Sequence, residues 1–378
     1  MKLSIIIPAR NEFPNIIHTI YSLIHSLEID GFTEDDYEII VINNCSTDWT
    51  IDGYEWQKPG VKGTTSYFMP RGMYWHKVVK MIYDPIAGNH SARNKGAKIA
   101  RGEYLFFSDA HMAYRPGIFK MLMKAVDESG GIVHCPIAWM GAYPPKASGV
   151  GYGYTLKLGE EFKGTWNNYQ LDDKEWFYIP ALGHCSLMVK KDQFLAFGGY
   201  PKIHRTYGGG EIYLNMKWWM FGSSVAVHPQ AIGYHLASSR GYTYHHDDYI
   251  ENVLGCAYAL GADEWRERAY INWMRNGRKE VLDSIMARSA IEHESDRKFV
   301  NKNKKYSFND LLKEEPWNKK NKERLGKANG GMLIFHDTWL QLLRKSPQYV
   351  QDVYDNSQLQ KDLEKFINEN LSKYVYKR

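Results

Sequence analysis

Asp109 and His111 stand two residues apart in Ser108-Asp-Ala-His111, directly after the apolar run Tyr104–Phe107. A carboxylate oxygen and an imidazole nitrogen at that spacing, in a turn at a strand end, can both reach one divalent cation. Mixed oxygen and nitrogen ligands with open positions suit Mn²⁺, and Mg²⁺ or zinc less well. A cation held there would neutralise the negative charge that develops on a leaving phosphate group. Taken alone the pair is a weak signal, because a turn aspartate beside a surface histidine is the commoner occurrence. Its surroundings have to decide.

The elements that must position the pair can be read from periodicity. Lys2–Ile7 is a short β-branched run ending at Pro8, the pattern of a buried strand. Ile16, Ile17, Ile20, Leu23, Ile24 and Leu27 then recur at helical spacing, and Tyr37–Ile42 is a second apolar strand closed by the polar turn Asn43–Asp48. Strand, helix and strand in that order imply a parallel sheet with right-handed crossovers. Ligands of such sheets sit at the C-terminal strand ends, where both polar turns fall. His76–Tyr83 reads as a third strand, Asn89–Ala100 as a helix, Leu182–Val189 as a strand and Ile212–Phe221 as a helix. Gly53 to Gly72 reads as an inserted loop, and residues 139–178, with their glycines, prolines and aromatics, as a substrate-side insertion.

The stretch Gly88-Asn-His-Ser-Ala-Arg-Asn-Lys-Gly-Ala-Lys-Ile-Ala-Arg-Gly-Glu-Tyr-Leu-Phe-Phe-Ser-Asp-Ala-His111 resembles the family 2 glycosyltransferases, in which ARNxG and AxGE precede an acidic metal motif. Ser4–Glu12 (SIIIPARNE) and Glu38–Asp48 (EIIVINNCSTD) match that family's two nucleotide-binding segments, in the same order. The resemblance spans about the first 110 residues. It implies a GT-A (nucleotide-diphospho-sugar transferase) fold: α/β, with a mostly parallel twisted sheet flanked by helices. It also implies sugar transfer from a nucleoside-diphosphate donor. A histidine in the metal motif, together with Gly208-Gly-Gly-Glu-Ile-Tyr-Leu-Asn-Met-Lys-Trp-Trp-Met-Phe-Gly222, is similar to the polypeptide N-acetylgalactosaminyltransferases.

By these resemblances the metal ligands are Asp109, His111 and a histidine after the next strand, Ser224–Val227. His235 takes that place, with His228 as its competitor, because Tyr234 separates Gly233 from His235 where the family has Gly-His directly. Pro8, Ala9, Arg10, Asn11 and Glu12 would meet base and ribose, and Arg93 the base or diphosphate. Asn43 stands where relatives carry an aspartate that accepts from a uracil nitrogen, and Asn44 beside it belongs to the same nucleotide-binding turn. Asparagine can accept but also donates, so UDP is the favoured donor nucleotide without being fixed. Glu211 falls at the position of an acceptor-side acid. A catalytic base, a substrate contact and a structural cap of a helix N-terminus are all open to it. Gly198-Gly-Tyr200 resembles an element that shapes the donor-sugar site. Trp218 and Trp219 are core residues by default, and His245-His-Asp-Asp248 is a solvated turn before it is a metal cluster.

With 378 residues, the chain divides into a catalytic domain at 1–250 and a mainly helical extension at 251–378, basic around 297–327. That basic stretch has the composition of a mobile linker or of an electrostatic docking surface. It makes hydroxymethylated bases in DNA one acceptor to weigh against glycan, lipid head group or protein. A base inside a duplex would have to be flipped out. Four cysteines without CxxC spacing read as free thiols in a reducing compartment. The absence of an apolar run of roughly 18–20 residues and of a secretory leader points to a cytoplasmic protein with no membrane span. A non-catalytic nucleotide-sugar or nucleic-acid binding module on the same fold is the alternative, and intact Asp109, His111 and Glu211 argue against it. A sugar-phosphate nucleotidyltransferase would need a glycine-rich phosphate loop after the first strand, and Pro8–Glu12 is not one.

Overall fold

The computed structural model describes residues 1–48, 78–140, 147–157, 162–236, 242–274 and 278–327. The loop expected at 53–72 and the last fifty-one residues lie outside these segments. The opening unit is as the pattern demands: β1 (Leu3–Ala9), α1 (Asn15–Ile29), β2 (Tyr37–Asn44), β3 (Val79–Asp84), α2 (Asn89–Ile99) and β4 (Tyr104–Ser108). β3-β2-β1-β4 lie side by side and parallel, with Ile5 opposite Ile39 on one flank and Phe106 on the other. Ile5, Ile6, Ile7, Leu105, Phe106 and Phe107 are all fully buried, because both faces of these central strands are covered.

Beyond β4 the chain adds β5 (Met112–Tyr114), α3 (Phe119–Ser129), β6 (Ile132–His134), β7 (Ile137–Met140), β8 (Ala147–Gly151), β9 (Gly153–Lys157) and β10 (Lys163–Asn167). β11 (Phe177–Tyr178), β12 (Ser186–Lys190), α4 (Lys191–Ala196), α5 (Gly210–Met220), β13 (Val225–Val227) and β14 (Gly233–Leu236) follow. The main sheet runs β11-β13-β6-β12-β4-β1-β2-β3. Four of its seven pairings are parallel, and it is mixed because β12 is antiparallel to both β4 and β6 and β11 to β13. A second sheet, β5-β14-β7-β8, and a β9-β10 hairpin stand over the C-terminal ends of β1 and β4.

Helix α2 shows why its sequence is rich in small residues. Ala92 and Ala97 are fully buried, and a Cβ on Gly96 would lie 2.5 Å from the Ile6 side chain. The helix therefore packs on β1 at a depth only glycine allows. The expected strand at 182–189 begins only at Ser186. The backbone before it serves side chains instead of a ladder: the His184 carbonyl accepts from Arg93, and the Cys185 carbonyl from the Asp109 amide. Trp218 and Trp219 are both core, their indole N–H groups donating to Gln193 and to the Ile179 carbonyl.

The rest of the described chain is helical: α6 (His246–Ala259), α7 (Asp263–Met274), α8 (Lys279–Asn303), α9 (Phe308–Glu314) and α10 (Pro316–Leu325). α6 runs through residue 250. Residues 298–327 are not a linker. Phe308, Leu311, Leu312 and Trp317 are buried, and Trp317 meets Trp219 edge-to-face at 5.8 Å. Asn321 caps the exposed sheet edge, its amide accepting from the Tyr178 N–H and donating to the Tyr178 carbonyl. Composition misled because the apolar residues are few and widely spaced, although Val300, Phe308, Leu311, Leu312 and Trp317 are buried. No described helix is long and apolar enough to cross a membrane. Trp317→Ala is expected to cost about 3–5 kcal/mol of stability, read as a lower midpoint in urea unfolding; an unchanged midpoint would show α10 to be detached from the core.

Candidate functional site

The two sequence turns at the ends of β1 and β2 interlock. Asn11 takes a positive φ of 55°, a conformation asparagine tolerates, and its Oδ1 accepts from the Thr47 amide at 2.7 Å. The Asn11 amide donates to Ser46 Oγ at 3.1 Å, and the Phe13 amide to Asp48. Asn43 is buried, with its Oδ1 accepting from the Ser46 amide. Asn44 ties β2 to the start of α2, donating to the Ile86 carbonyl and accepting from the Gly88 amide at 2.7 Å.

A cavity of about 810 Å³ opens beside these turns. Pro8, Ala9, Arg10, Glu12, Asn44, Arg93, Asp109, His111, Glu211 and His235 all line it, so ten of the twelve residues anticipated from sequence converge. Asn11 and Asn43 do not line it; they shape the loops behind its wall.

Asp109, His111 and His235 each offer a ligand atom, and these atoms all lie within 4.8 Å of one another. The sheet register places His235: β14 pairs with β5 so that His235 faces Met112, next to His111. His228 follows β13 directly and accepts from the Gln230 amide instead, outside the group. Tyr234 is therefore accommodated within the strand and does not push His235 out of reach.

The three residues fit a divalent cation on their own chemistry. His111 Nδ1 lies 2.9 Å from the Glu12 carboxylate, which holds the proton on that nitrogen and leaves Nε2 its lone pair. His111 Nε2 and His235 Nε2 are 3.1 Å apart. Two imidazole nitrogens each about 2.1 Å from one ion at right angles would be separated by roughly 3 Å. Burial by itself would raise the Asp109 carboxyl. The hydrogen bond with His235 and the charges of Arg93 and His111 outweigh it, holding the group ionised well below the usual carboxylate range. Among the described residues no other group of three could hold a metal; His245 and His246 are exposed, and Asp247 pairs with Arg278.

Arg93 is 2% exposed and reaches Asp109 Oδ1 at 2.5 Å. Behind it lies a histidine cluster that sequence reading passed over. The His184 ring is held by the Tyr200 hydroxyl and Asn215, and His90 meets His204 at 3.2 Å. Burial first, then the neighbouring Arg93 and histidine charges, pushes His90 and His184 well down, so they stay neutral beside the guanidinium. The Gly-Gly-Tyr element is anchored to α2, with Asn94 accepting from the Tyr200 amide and donating to its carbonyl.

Glu211 lies in the first turn of α5. Its Oε2 accepts from the Tyr154 hydroxyl at 3.0 Å. Burial raises its carboxyl above the ordinary glutamate value, and Asp109 adds to the rise against the lowering effect of Tyr154 and the His184 amide. The glycines before it are required by space. Gly209 has φ 72°, and a Cβ there would lie 2.8 Å from the Asn252 carbonyl oxygen; one on Gly210 would run into the His90 ring.

Sequence similarity follows the same geometry. The family described as glycosyl transferase family 2 matches residues 4–140. Polypeptide N-acetylgalactosaminyltransferase 3 of Drosophila melanogaster is 24% identical over 196 residues, 46% of this chain and 28% of the fly protein. An uncharacterized glycosyltransferase, YibD of Escherichia coli strain K12, is 30% identical over 139 residues, 36% of this chain and 34% of that protein. The crystal structure of GalNAc-T7 with UDP, GalNAc and Mn²⁺ superposes over 78% of this chain and 55% of its own, with a TM-score of 0.60 and 16% identity. The fold is thus GT-A-like, while the matches span well under two-thirds of each relative's length.

Glu12 was read as a nucleotide contact; its position beside His111 Nδ1 would also orient that imidazole toward a cation held by the group. Glu12→Gln is expected to weaken Mn²⁺ affinity by about 10–100-fold, measured by titration followed by electron paramagnetic resonance.

Proposed function

We propose that this protein is a metal-dependent glycosyltransferase. It would move a sugar from a nucleoside-diphosphate donor, a UDP-sugar by preference, to a hydroxyl acceptor. The observation that carries the reading is the Asp109–His111–His235 group at the end of β4, opening on the cavity that Arg93 and the two interlocked turns also border. These three residues would hold Mn²⁺, or Mg²⁺ in its place. When bound, such an ion supplies positive charge that stabilises a departing diphosphate.

The chain's own residues support an anionic ligand at the same end. Arg10 Nε and Arg93 Nε are buried with no hydrogen-bond partner among the described residues, as is Asn89 Oδ1, and all three residues line the cavity. Buried polar atoms are otherwise nearly always paired, so two orphaned guanidinium donors favour a phosphate or ribose oxygen as partner. In the transfer, the acceptor oxygen bonds to the anomeric carbon as the bond from that carbon to the phosphate oxygen breaks. The bonding pair leaves with the nucleoside diphosphate, and the hydroxyl proton passes to a base. Glu211 is the carboxylate on that side of the cavity. The relatives' names and the neighbour with UDP, GalNAc and Mn²⁺ point the same way.

A nucleic-acid acceptor rested on the basic stretch 297–327. None of its residues lines the cavity, and α10 packs against β11 at the far edge of the main sheet, which weighs against that variant.

Screening nucleotide sugars by thermal shift with Mn²⁺, then assaying release of the nucleoside diphosphate, tests the reading. Asp109→Ala is expected to lower turnover by at least about 100-fold, and chelation should abolish it until Mn²⁺ is restored; wild-type turnover in the variant would refute the site. With Glu211 as base, transfer should rise with pH through a pKa above the usual glutamate value of about 4.3, since only the ionised carboxylate accepts the proton. Glu211→Gln should remove that rise, and a pH profile identical to wild type would exclude the base role.

A further inference from the structure

Away from the nucleotide end, the cavity changes character. Trp139 on β7, Tyr154 on β9 and Trp166 on β10 form one wall, with ring centroids 5.4 Å (Trp139–Trp166) and 5.0 Å (Tyr154–Trp166) apart, edge to face. The wall starts at the metal group, where Trp139 packs 4.8 Å from the His235 ring, and ends at Glu211 through the Tyr154 hydroxyl. Tyr207 and Tyr249, the latter on α6, form a second wall, their rings near-parallel at 24° and 6.1 Å apart.

These rings are seated on bare backbone. A Cβ on Gly151 would come 2.6 Å from the Trp166 ring, and one on Gly183 would come 2.6 Å from the Tyr154 hydroxyl and 3.0 Å from Trp166. A Cβ on Gly164 would overlap the Tyr154 ring, and one on Gly208 would come 2.6 Å from Tyr249. Four glycines thus let the chain close directly beneath three aromatic side chains. Fixed rings lose little side-chain entropy when a ligand arrives, which is the condition for a preorganised stacking surface.

We propose that the acceptor is a neutral carbohydrate. Its pyranose ring lies against Trp166 and the Tyr207–Tyr249 pair, with the reacting hydroxyl beside Glu211. The inference rests on the glycosyltransferase reading and narrows its substrate. A pyranose has an apolar face of C–H groups and an edge of hydroxyls. The face releases water when it covers an aromatic ring, and the edge needs polar partners such as the carboxylate at the end of the wall. A polyanion is a poor match. Among the described residues the cations lining the cavity are few: Arg93, paired with Asp109, and Arg10, over the Tyr242 ring at 5.1 Å, stand at the metal and turn end, and Lys163 lies on β10 beside the aromatic wall. Tracking a nucleic-acid backbone takes several phosphate contacts in a row.

The test uses the full chain with Mn²⁺ and whichever nucleotide sugar it hydrolyses. Neutral malto-, cello- and chito-oligosaccharides, a hydroxymethylated oligonucleotide and a serine/threonine peptide are offered as acceptors, and products are read by mass. Transfer to at least one saccharide is expected. Trp166→Ala should then raise the acceptor KM at least tenfold with a smaller change in kcat, and Trp166→Phe should restore most of the affinity. Transfer to the oligonucleotide or peptide with none to saccharides overturns the proposal. So does a Trp166→Ala variant that changes the donor KM and leaves the acceptor KM alone. If no nucleotide sugar is bound or hydrolysed with Mn²⁺, the glycosyltransferase reading itself fails and this inference falls with it. Donor hydrolysis without saccharide transfer sinks the carbohydrate subsite only.

Discussion

A guanidinium shut away from bulk water grips the carboxylate at the end of β4. Arg93 reaches Asp109 at 2.5 Å and is 2% exposed. Taking such a charge out of water costs several kcal/mol, and losing its partner would leave that cost uncompensated, at about 3–5 kcal/mol for a broken buried pair. The pair is therefore a requirement of the fold before it is a device for chemistry. It also sets the depth of α2. The helix must lie close enough to β1 for Arg93 to reach past the strand end, and only a glycine at position 96 allows that approach. The neutral histidines behind Arg93 fit the same constraint, since a second positive charge there would be repelled.

Much of this half was legible in the sequence because its determinants are local. Strands β1, β2 and β4 are unbroken apolar runs, and the residues that matter follow each run directly, where a parallel sheet gathers its loops. Residue spacing alone placed Asp109 and His111 together. His235 needed more: its position rests on β14 pairing with β5 and β7, and strand pairing across more than a hundred residues leaves no periodic trace in the chain. The contact between Glu12 and His111 was hidden for the same reason, as was the histidine cluster, whose members are scattered from His90 to His204.

The aromatic walls and the last helices were illegible for a different reason. Residues 139–178 announced themselves as glycine- and aromatic-rich, which is compatible with a loop. That the glycines exist to seat the rings is a fact about packing, and packing is invisible until the backbone is placed. In α8 to α10 the opposite error arises. Charges dominate the composition, yet Arg297 pairs with Asp263, Arg324 with Glu175 while stacking on Trp176, and Leu282, Ile285, Val300, Phe308, Leu311, Leu312 and Trp317 are buried. A charge-rich segment is exposed on one face without being loose on the other.

The segment matched by the family 2 model supplies one part of the cavity's lining and the later chain another. The family 2 match ends at residue 140, one position past Trp139. Pro8, Ala9, Arg10, Glu12, Asn44 and Arg93, which line one end of the cavity, come from before it. Tyr154, Trp166, Tyr207, Glu211 and Tyr249 come from after it. The metal group straddles the boundary, with Asp109 and His111 on one side and His235 on the other. That arrangement is held by hydrogen-bonded strands: β14 is inserted between β5 and β7, both of which belong to the matched segment. A shift of β14 by one residue would turn Tyr234 toward the metal group in place of His235, since neighbouring side chains on a strand face opposite ways. Register in this small second sheet is thus what brings Asp109 and His111 of the matched segment together with His235 of the later chain.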